Sequence, residues 1–240
     1  MGSGDDVNGG GMLNKGADIV NCTFLDNLAD EAGACLYNLG GSPLITSTRF
    51  DHCSASNRGG AVAGVGTSAT YSGCQFVDNE GSLGGAAFVE ASSTVNFTNC
   101  QFRSNAVEHT GGGVHAEGKS TLTSCVLWGN QAGGSGAGIY TNTGAVTLIG
   151  CTVAGNRGTD SGGLGGGLYF RNTGLIGAGV TVVNSILALN TLAGSPGTDY
   201  QSSQVNIAVA DLLASSVSIT YSLWPEASSN YSGLITSLPQ

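Results

Sequence analysis

The chain has 240 residues with 41 Gly, 4 Pro and only 10% charged residues, a composition that suits short strands and tight turns and disfavours helices. Seven Lys and Arg against sixteen Asp and Glu give a net charge of -9, which excludes nucleic-acid binding through a basic surface and attraction to an anionic membrane. No apolar run of about 18 residues spans a bilayer, and the N-terminus lacks the basic and apolar regions of a signal peptide.

Met1-Gly2-Ser3-Gly4 reads as a fusion scar, and a repeat is already under way at Gly9-Gly10-Gly11-Met12. The chain is therefore expected to be a segment of a longer one whose export signal lies outside it. From there a motif recurs: an apolar residue, two further residues and usually Asn. Its apolar position is held by Phe24, Phe50, Phe76, Phe102, Leu127, Val153 and Leu187, at intervals of 26, 26, 26, 25, 26 and 34 residues. A fixed period of that size is the signature of a solenoid.

A second element, a Gly-rich turn leading into a short strand, recurs at Gly33-Ala34-Cys35, Gly60-Ala61-Val62, Gly85-Ala86-Ala87, Gly112-Gly113-Val114, Ala137-Gly138-Ile139 and Gly166-Gly167-Leu168. Between the two landmarks lie segments such as Val95-Asn96-Phe97-Thr98 and Val146-Thr147-Leu148-Ile149, whose alternation is that of a half-buried strand. Three short strands per coil, with no room for a helix, predict an all-β, right-handed parallel β-helix. It would have about seven regular coils of roughly 26 residues plus a C-terminal coil and cap. One inward ladder is expected to hold Ile19, Ile45, Tyr71, Phe97, Leu122, Leu148 and Val182. The repeats are assigned to residues 1–200. Residues 201–240, with a last strand-like segment at Ser218–Leu223, are assigned to the terminal coil and cap.

Cys22, Cys74, Cys100, Cys125 and Cys151 share one place in their coils, with Thr48 and Ser185 completing the column. Side chains stacked this way point in parallel, so a buried ladder of reduced thiols is expected. Cys35 and Cys53 fall on other columns, and the odd total of seven does not suggest a disulfide framework. Asn27, Asn79, Asn105, Asn130, Asn156 and Asn190 mark a turn where the amide satisfies stacked backbone groups and tolerates left-handed geometry.

Gly59 to Val62 paired with Phe76 to Asn79 resembles the Gly-Gly-Ala-Val and Phe-x-x-Asn repeat of the chlamydial polymorphic outer membrane proteins, which are surface adhesins. Asn184 to Asn190, then Asp199, then Tyr221-Ser222-Leu223, is similar to bacterial secreted β-helix proteins of the choice-of-anchor type. The resemblance implies an extracellular or cell-surface, outer membrane-associated setting. The sequence departs from the pattern at Cys53, which replaces Asn, at Leu127 and Val153, which replace Phe, and after Leu238-Pro239-Gln240, where no anchor is visible.

On the strand after the Gly turn, one outward row is read as Leu13, Leu36, Ala63, Phe88, His115, Tyr140 and Tyr169. Beside it runs Lys15, Asn38, Val65, Glu90, Glu117, Asn142 and Arg171. An exposed aromatic stripe bordered by polar groups suits a sugar chain, and by fold-level analogy this face carries the active sites of pectin-cleaving β-helix enzymes. The candidate ligand-binding residues are Phe88, Glu90, His115, Glu117, Tyr140, Asn142, Tyr169 and Arg171. Glu90 and Glu117 would stand at about the 5 Å spacing of a retaining glycosidase, but no catalytic residue is assigned. A calcium-dependent lyase lacks its carboxylate cluster, and His52, His109 and His115 fall in different parts of their coils, so no metal or other cofactor is expected. Outward Thr70, Thr98, Thr121, Thr123, Thr147 and Thr181 are too irregular for an ice-binding lattice, interrupted by Asp18, Leu44, Asn96 and Ile149.

The first functional expectation is a non-enzymatic adhesin or structural scaffold facing a host or matrix surface. The second is a carbohydrate-binding or polysaccharide-degrading module, which if enzymatic would be a glycosidase or lyase. The third is a fibre subunit associating end to end.

Overall fold

The computed structural model describes residues 8–160, 163–172, 178–192, 205–209 and 216–220, the last two stretches as backbone only. Every named strand pairs in parallel with its counterpart one coil away, and the strands form four ladders of eight, eight, seven and seven members. One coil shows the pattern: Ala87–Val89 in sheet I, Thr94–Thr98 in sheet II, Gln101–Arg103 in sheet III and Ala106–Thr110 in sheet IV. This is a parallel β-helix, with no helix among the described residues and so none long and apolar enough to cross a membrane. Sheet IV is the addition to the three expected strands. Its members are as short as Leu28–Ala29 and Gln131–Ala132, too short to show an alternating pattern in sequence. Of the expected terminal coil, Val205–Val209 extends sheet I and Ser216–Thr220 extends sheet II; the proposed cap lies outside the described residues.

The two inward columns form as expected. Phe24, Phe50, Phe76, Phe102, Leu127, Val153 and Leu187 are register partners through sheet III, and Ile19 through Val182 are partners through sheet II. Parallel rings stack within a column, Phe50 to Phe76 at 4.9 Å and Phe76 to Phe102 at 4.7 Å, and meet edge-on between columns, Phe97 to Phe102 at 5.2 Å. Each buried Phe contributes about 1.5–3 kcal/mol of transfer free energy, and each ring pair about 0.5–1.5 kcal/mol more.

Corners are set by residues in the left-handed region. The residue before the Cys column (Asn21, Ser47, Gly73, Asn99, Ser124, Gly150, Asn184) and the residue before the Asn column (Asp26, His52, Asp78, Ser104, Gly129, Gly155, Leu189) all have φ between 48° and 68°. The Asn residues themselves do not carry the left-handed turn. Their task is hydrogen bonding: Asn79 Nδ2 donates to Asn105 Oδ1 (2.9 Å) and to the Phe50 carbonyl (3.0 Å), and its N–H donates to the same Asn105 oxygen (3.1 Å). Asn105, Asn130 and Asn156 repeat this set, so buried backbone groups at the corner are satisfied coil after coil. The Gly turn is a third corner, and it requires glycine: at Gly59 φ is +61° and a Cβ would stand 2.2 Å from the Val62 carbonyl oxygen.

The thiol column stays reduced, and Cys74, Cys100, Cys125 and Cys151 are buried, each donating to carbonyls such as that of Ile45, 3.4 Å from Cys74 Sγ. Cys22, in the first coil, is exposed, contrary to the expectation of a wholly buried ladder. Neighbouring thiols also shift one another's titration: Cys125 and Cys74 push the Cys100 thiol up while Cys100 and Cys151 pull Cys125 down.

Cys35 and Cys53, although on different columns, form a disulfide with Cα atoms 5.7 Å apart. Cys35 belongs to a column of small residues facing the Asn corner across a narrow cross-section, where a Cβ on Gly138 would stand 3.2 Å from Asn156 Nδ2. Cys53 takes the Asn place in its coil, so the two sulfurs meet in that gap.

A buried polar chain also occupies the interior. Asn14 Nδ2 donates to Asn38 Oδ1 (2.9 Å), and Asn38 Nδ2 donates to the Tyr71 hydroxyl (2.8 Å), whose burial holds the phenol protonated. Beside it lies a small cavity of about 10 Å³, about the size that holds one water.

Candidate functional site

In sheet I the strand register aligns Tyr37, Ala63, Phe88, His115, Tyr140 and Tyr169. Leu36 therefore leaves the expected outward row and Tyr37 takes its place. Leu36 pairs with Val62 in the main core, and Asn38 pairs with Gly64 on the inside, so the second row carries Leu39 instead of Asn38. The single-residue slip arises because Gly33 corresponds to the left-handed Gly59, not to Gly60.

The row points away from the main core, since Ala87 and Val89 face inward while Phe88 joins a separate cluster with Ala32, Ala63, Tyr37 and Leu83. Yet it is not the exposed stripe that was expected. Phe88 is 2% exposed, His115 3%, Tyr140 8% and Tyr169 7%. Their rings cover one another, at 5.0 Å from Phe88 to His115, 4.7 Å to Tyr140 and 5.5 Å to Tyr169. The segment leading back from sheet IV covers the edge: Leu83 packs on Phe88, and Thr110 Oγ1 lies 2.9 Å from His115 Nδ1. Rings packed against one another and this deeply buried do not offer a free face to a pyranose.

The polar row is half-buried at Glu90, Glu117 and Asn142 and exposed at Arg171. Its organiser is Arg58, which the sequence reading passed over. Its guanidinium lies 5.1 Å from the Phe88 centroid and its Nη1 donates to Glu90 Oε1 at 3.0 Å. Arg58 bridges Ala32 and Leu83 immediately before the left-handed Gly59, so a correct alignment of the Gly corner would have placed it beside the row. Burial pushes the Glu117 carboxyl up, partly opposed by Arg58 and reinforced by Glu90. Burial also lowers His115 to about 4, the Thr110 contact opposing and the Arg58 charge adding to the shift. His115 Nε2 is buried without a hydrogen bond, 3.9 Å from Glu117 Oε1. Burial likewise raises Tyr140 and Tyr169, the latter against the Arg171 charge. The face brings all eight expected residues onto neighbouring columns, with Glu90 ion-paired to Arg58, His115 buried as a neutral imidazole and Glu117 half-buried with its carboxyl pushed up.

On sheet III, Asp51, His52 and Asp78 place three ligand-type atoms within 4.8 Å of one another. Both Asp51 oxygens are engaged, Oδ2 by Arg49 Nη2 at 2.7 Å and Oδ1 by His52 Nδ1 at 2.9 Å, so the carboxylate is already satisfied by neighbouring side chains. Further along the same sheet, Trp128 is 49% exposed, and the sequence reading gave it no role.

Residues 6–187 match a family model described as right handed beta helix region, which also gives the hand of the coil. No curated protein and no solved structure matches the chain.

Proposed function

The chain belongs to the right-handed β-helix family, and from that premise we propose that it is a non-enzymatic scaffold, acting outside the cell or at its surface as an adhesin or structural stalk. The observation that carries this reading is the burial of the candidate ligand-binding face: the rings of Phe88, His115 and Tyr140 cover one another and Arg58 holds Glu90. The Cys35–Cys53 disulfide supports an oxidising compartment, and hence export. The repeat resemblance to chlamydial polymorphic outer membrane proteins and to choice-of-anchor proteins favours a host or matrix surface as partner.

Beads coated with the protein should adhere to cultured epithelial cells or to deposited matrix, while a panel of plant and bacterial polysaccharides shows no release of reducing ends. Sustained release abolished by Glu117→Gln would replace this reading with an enzymatic one. Thiol counting in denaturant checks the export argument: five reactive thiols before reduction and seven after are expected, and seven before reduction would contradict it.

A second reading, end-to-end association of copies, is supported by the first described coil, where the inward positions Cys22 and Phe24 are exposed and half-buried although their counterparts Cys74 and Phe50 are buried. Electron microscopy of the purified chain should then show rods longer than one molecule, and uniformly short rods would count against it.

A further inference from the structure

Among the described residues Trp128 is the exposed large aromatic side chain, and its setting differs from that of every buried ring. A Cβ on Gly155 would stand 3.3 Å from Cη2, Cζ2 and Cζ3 of its indole alike. A point equidistant from three atoms of a six-membered ring lies on the ring's normal through its centre. The indole therefore lies face-down on Gly155, and about half of Trp128 remains exposed. Glycine at 155 is not demanded by the left-handed corner, because Asp26, His52, Asp78, Ser104 and Leu189 take the same conformation in other coils. What it provides is a flat seat for the ring.

Two arginines lie close to the indole in the register, and the acids Asp78 and Asp160 lie in nearby turns. Arg103 is the register partner of Trp128 one coil earlier, and Arg157 follows Gly155 by two residues one coil later. Both are exposed, and neither has a carboxylate within 4.0 Å among the described residues, whereas Arg49 and Arg58 are ion-paired. The positions level with Trp128 and its corner in the two adjoining coils, Arg103, Ser104, Ala154 and Gly155, include no acid; Asp78 is one coil further away. In a chain of net charge -9 with seven basic residues, Arg103 stands in register with the indole and Arg157 stands just past the Asn156 corner one coil later, both without an ion-pair partner among the described residues.

We infer that Trp128, Arg103 and Arg157 form a stacking platform for a pyranose ring carrying a carboxylate. The indole face takes the apolar face of the sugar and the guanidinium groups take the anion, which neither a buried ring stack nor a lone surface tryptophan would do. The inference deepens the adhesive reading by naming a ligand class, and it rests on that reading for its biological setting. Adhesion without saccharide binding would remove only the platform; saccharide binding without adhesion would remove only the adhesive role.

Calorimetric titration of the full chain with a hyaluronan tetrasaccharide, alternating glucuronate and N-acetylglucosamine, is compared with chitotetraose, which lacks the carboxylates. Saturable, salt-weakened binding of the first is expected, with the second weaker by about tenfold, the equivalent of one charge-assisted hydrogen bond. Trp128→Ala and the double variant Arg103→Gln/Arg157→Gln should each abolish or weaken binding by at least about tenfold while melting like the parent chain. Gly155→Asp keeps all three groups but places a side chain under the indole, and it should weaken binding too. No binding of the acidic saccharide, equal binding of both saccharides, or undiminished binding by Trp128→Ala would overturn the proposal.

Discussion

Two places on the outside of this β-helix carry aromatic rings and use them in opposite ways. On sheet I, Phe88, His115, Tyr140 and Tyr169 point outward but are buried, because each ring covers the next and the returning chain covers their edge. On sheet III, Trp128 has no ring in register on either side, only Arg103 and Ala154, and it lies on a glycine with about half of it exposed. Register decides which way a side chain points; its neighbours one coil above and below decide whether it is available. An uninterrupted aromatic column is therefore a packing device, and a single ring in a column of dissimilar residues is the better candidate for recognition.

The largest effect against which to calibrate that contrast comes from the interior. Phe102→Asp buries an unpaired charge in the stacked column and should cost more than about 4 kcal/mol, seen as loss of cooperative melting by circular dichroism. Phe88→Ala should cost about 3 kcal/mol, since the outward row behaves as a small core, whereas Trp128→Ala should cost less than about 1 kcal/mol. Equal costs for the latter two would erase the distinction between the faces.

The row should also show itself in the pH dependence of stability. His115 is held at about 4 in the fold, against about 6.5 when unfolded, so the unfolded chain binds the extra proton between those values. Its contribution is fully present above about pH 6.5 and is lost as pH falls toward 4, amounting to at most about 3 kcal/mol. Denaturant titrations of the parent and of His115→Phe should diverge over that window, with the variant's curve flatter; parallel curves would place His115 in solvent. Smallest of all, Thr147→Ser on the half-exposed face of sheet II should stay within about 0.5 kcal/mol of the parent.

Much of the architecture is legible in the sequence because the inward columns repeat one chemistry: Phe24 to Leu187 and Ile19 to Val182 are apolar at every coil, and Asn79 to Asn190 share one hydrogen-bonding task. Legibility fails where a column's chemistry is not repeated. Gly33 has no second glycine after it, so the coil around Leu36 slips by one residue when glycine pairs are aligned. The disulfide escapes notice because Cys35 and Cys53 belong to columns of alanine, glycine and asparagine, whose facing across the cross-section is a property of the tube's width and not of its period. Exposure of the candidate site was misjudged for a related reason. The segments that cover it, at Leu83 and Thr110, vary in length and composition from coil to coil and carry no pattern to read. Trp128 stands out only once Gly155 is seen beneath it.

The contrast between the two aromatic regions is tested most directly by hydroxyl-radical footprinting with residue-level mass spectrometry, each rate normalised to that of the unfolded chain. The structure predicts rapid modification of Trp128 together with strong protection of Phe88, His115, Tyr140 and Tyr169. Modification of Tyr140 and Tyr169 as fast as Trp128 would mean that the row on sheet I is open to ligands and that the assignment of the two faces is reversed.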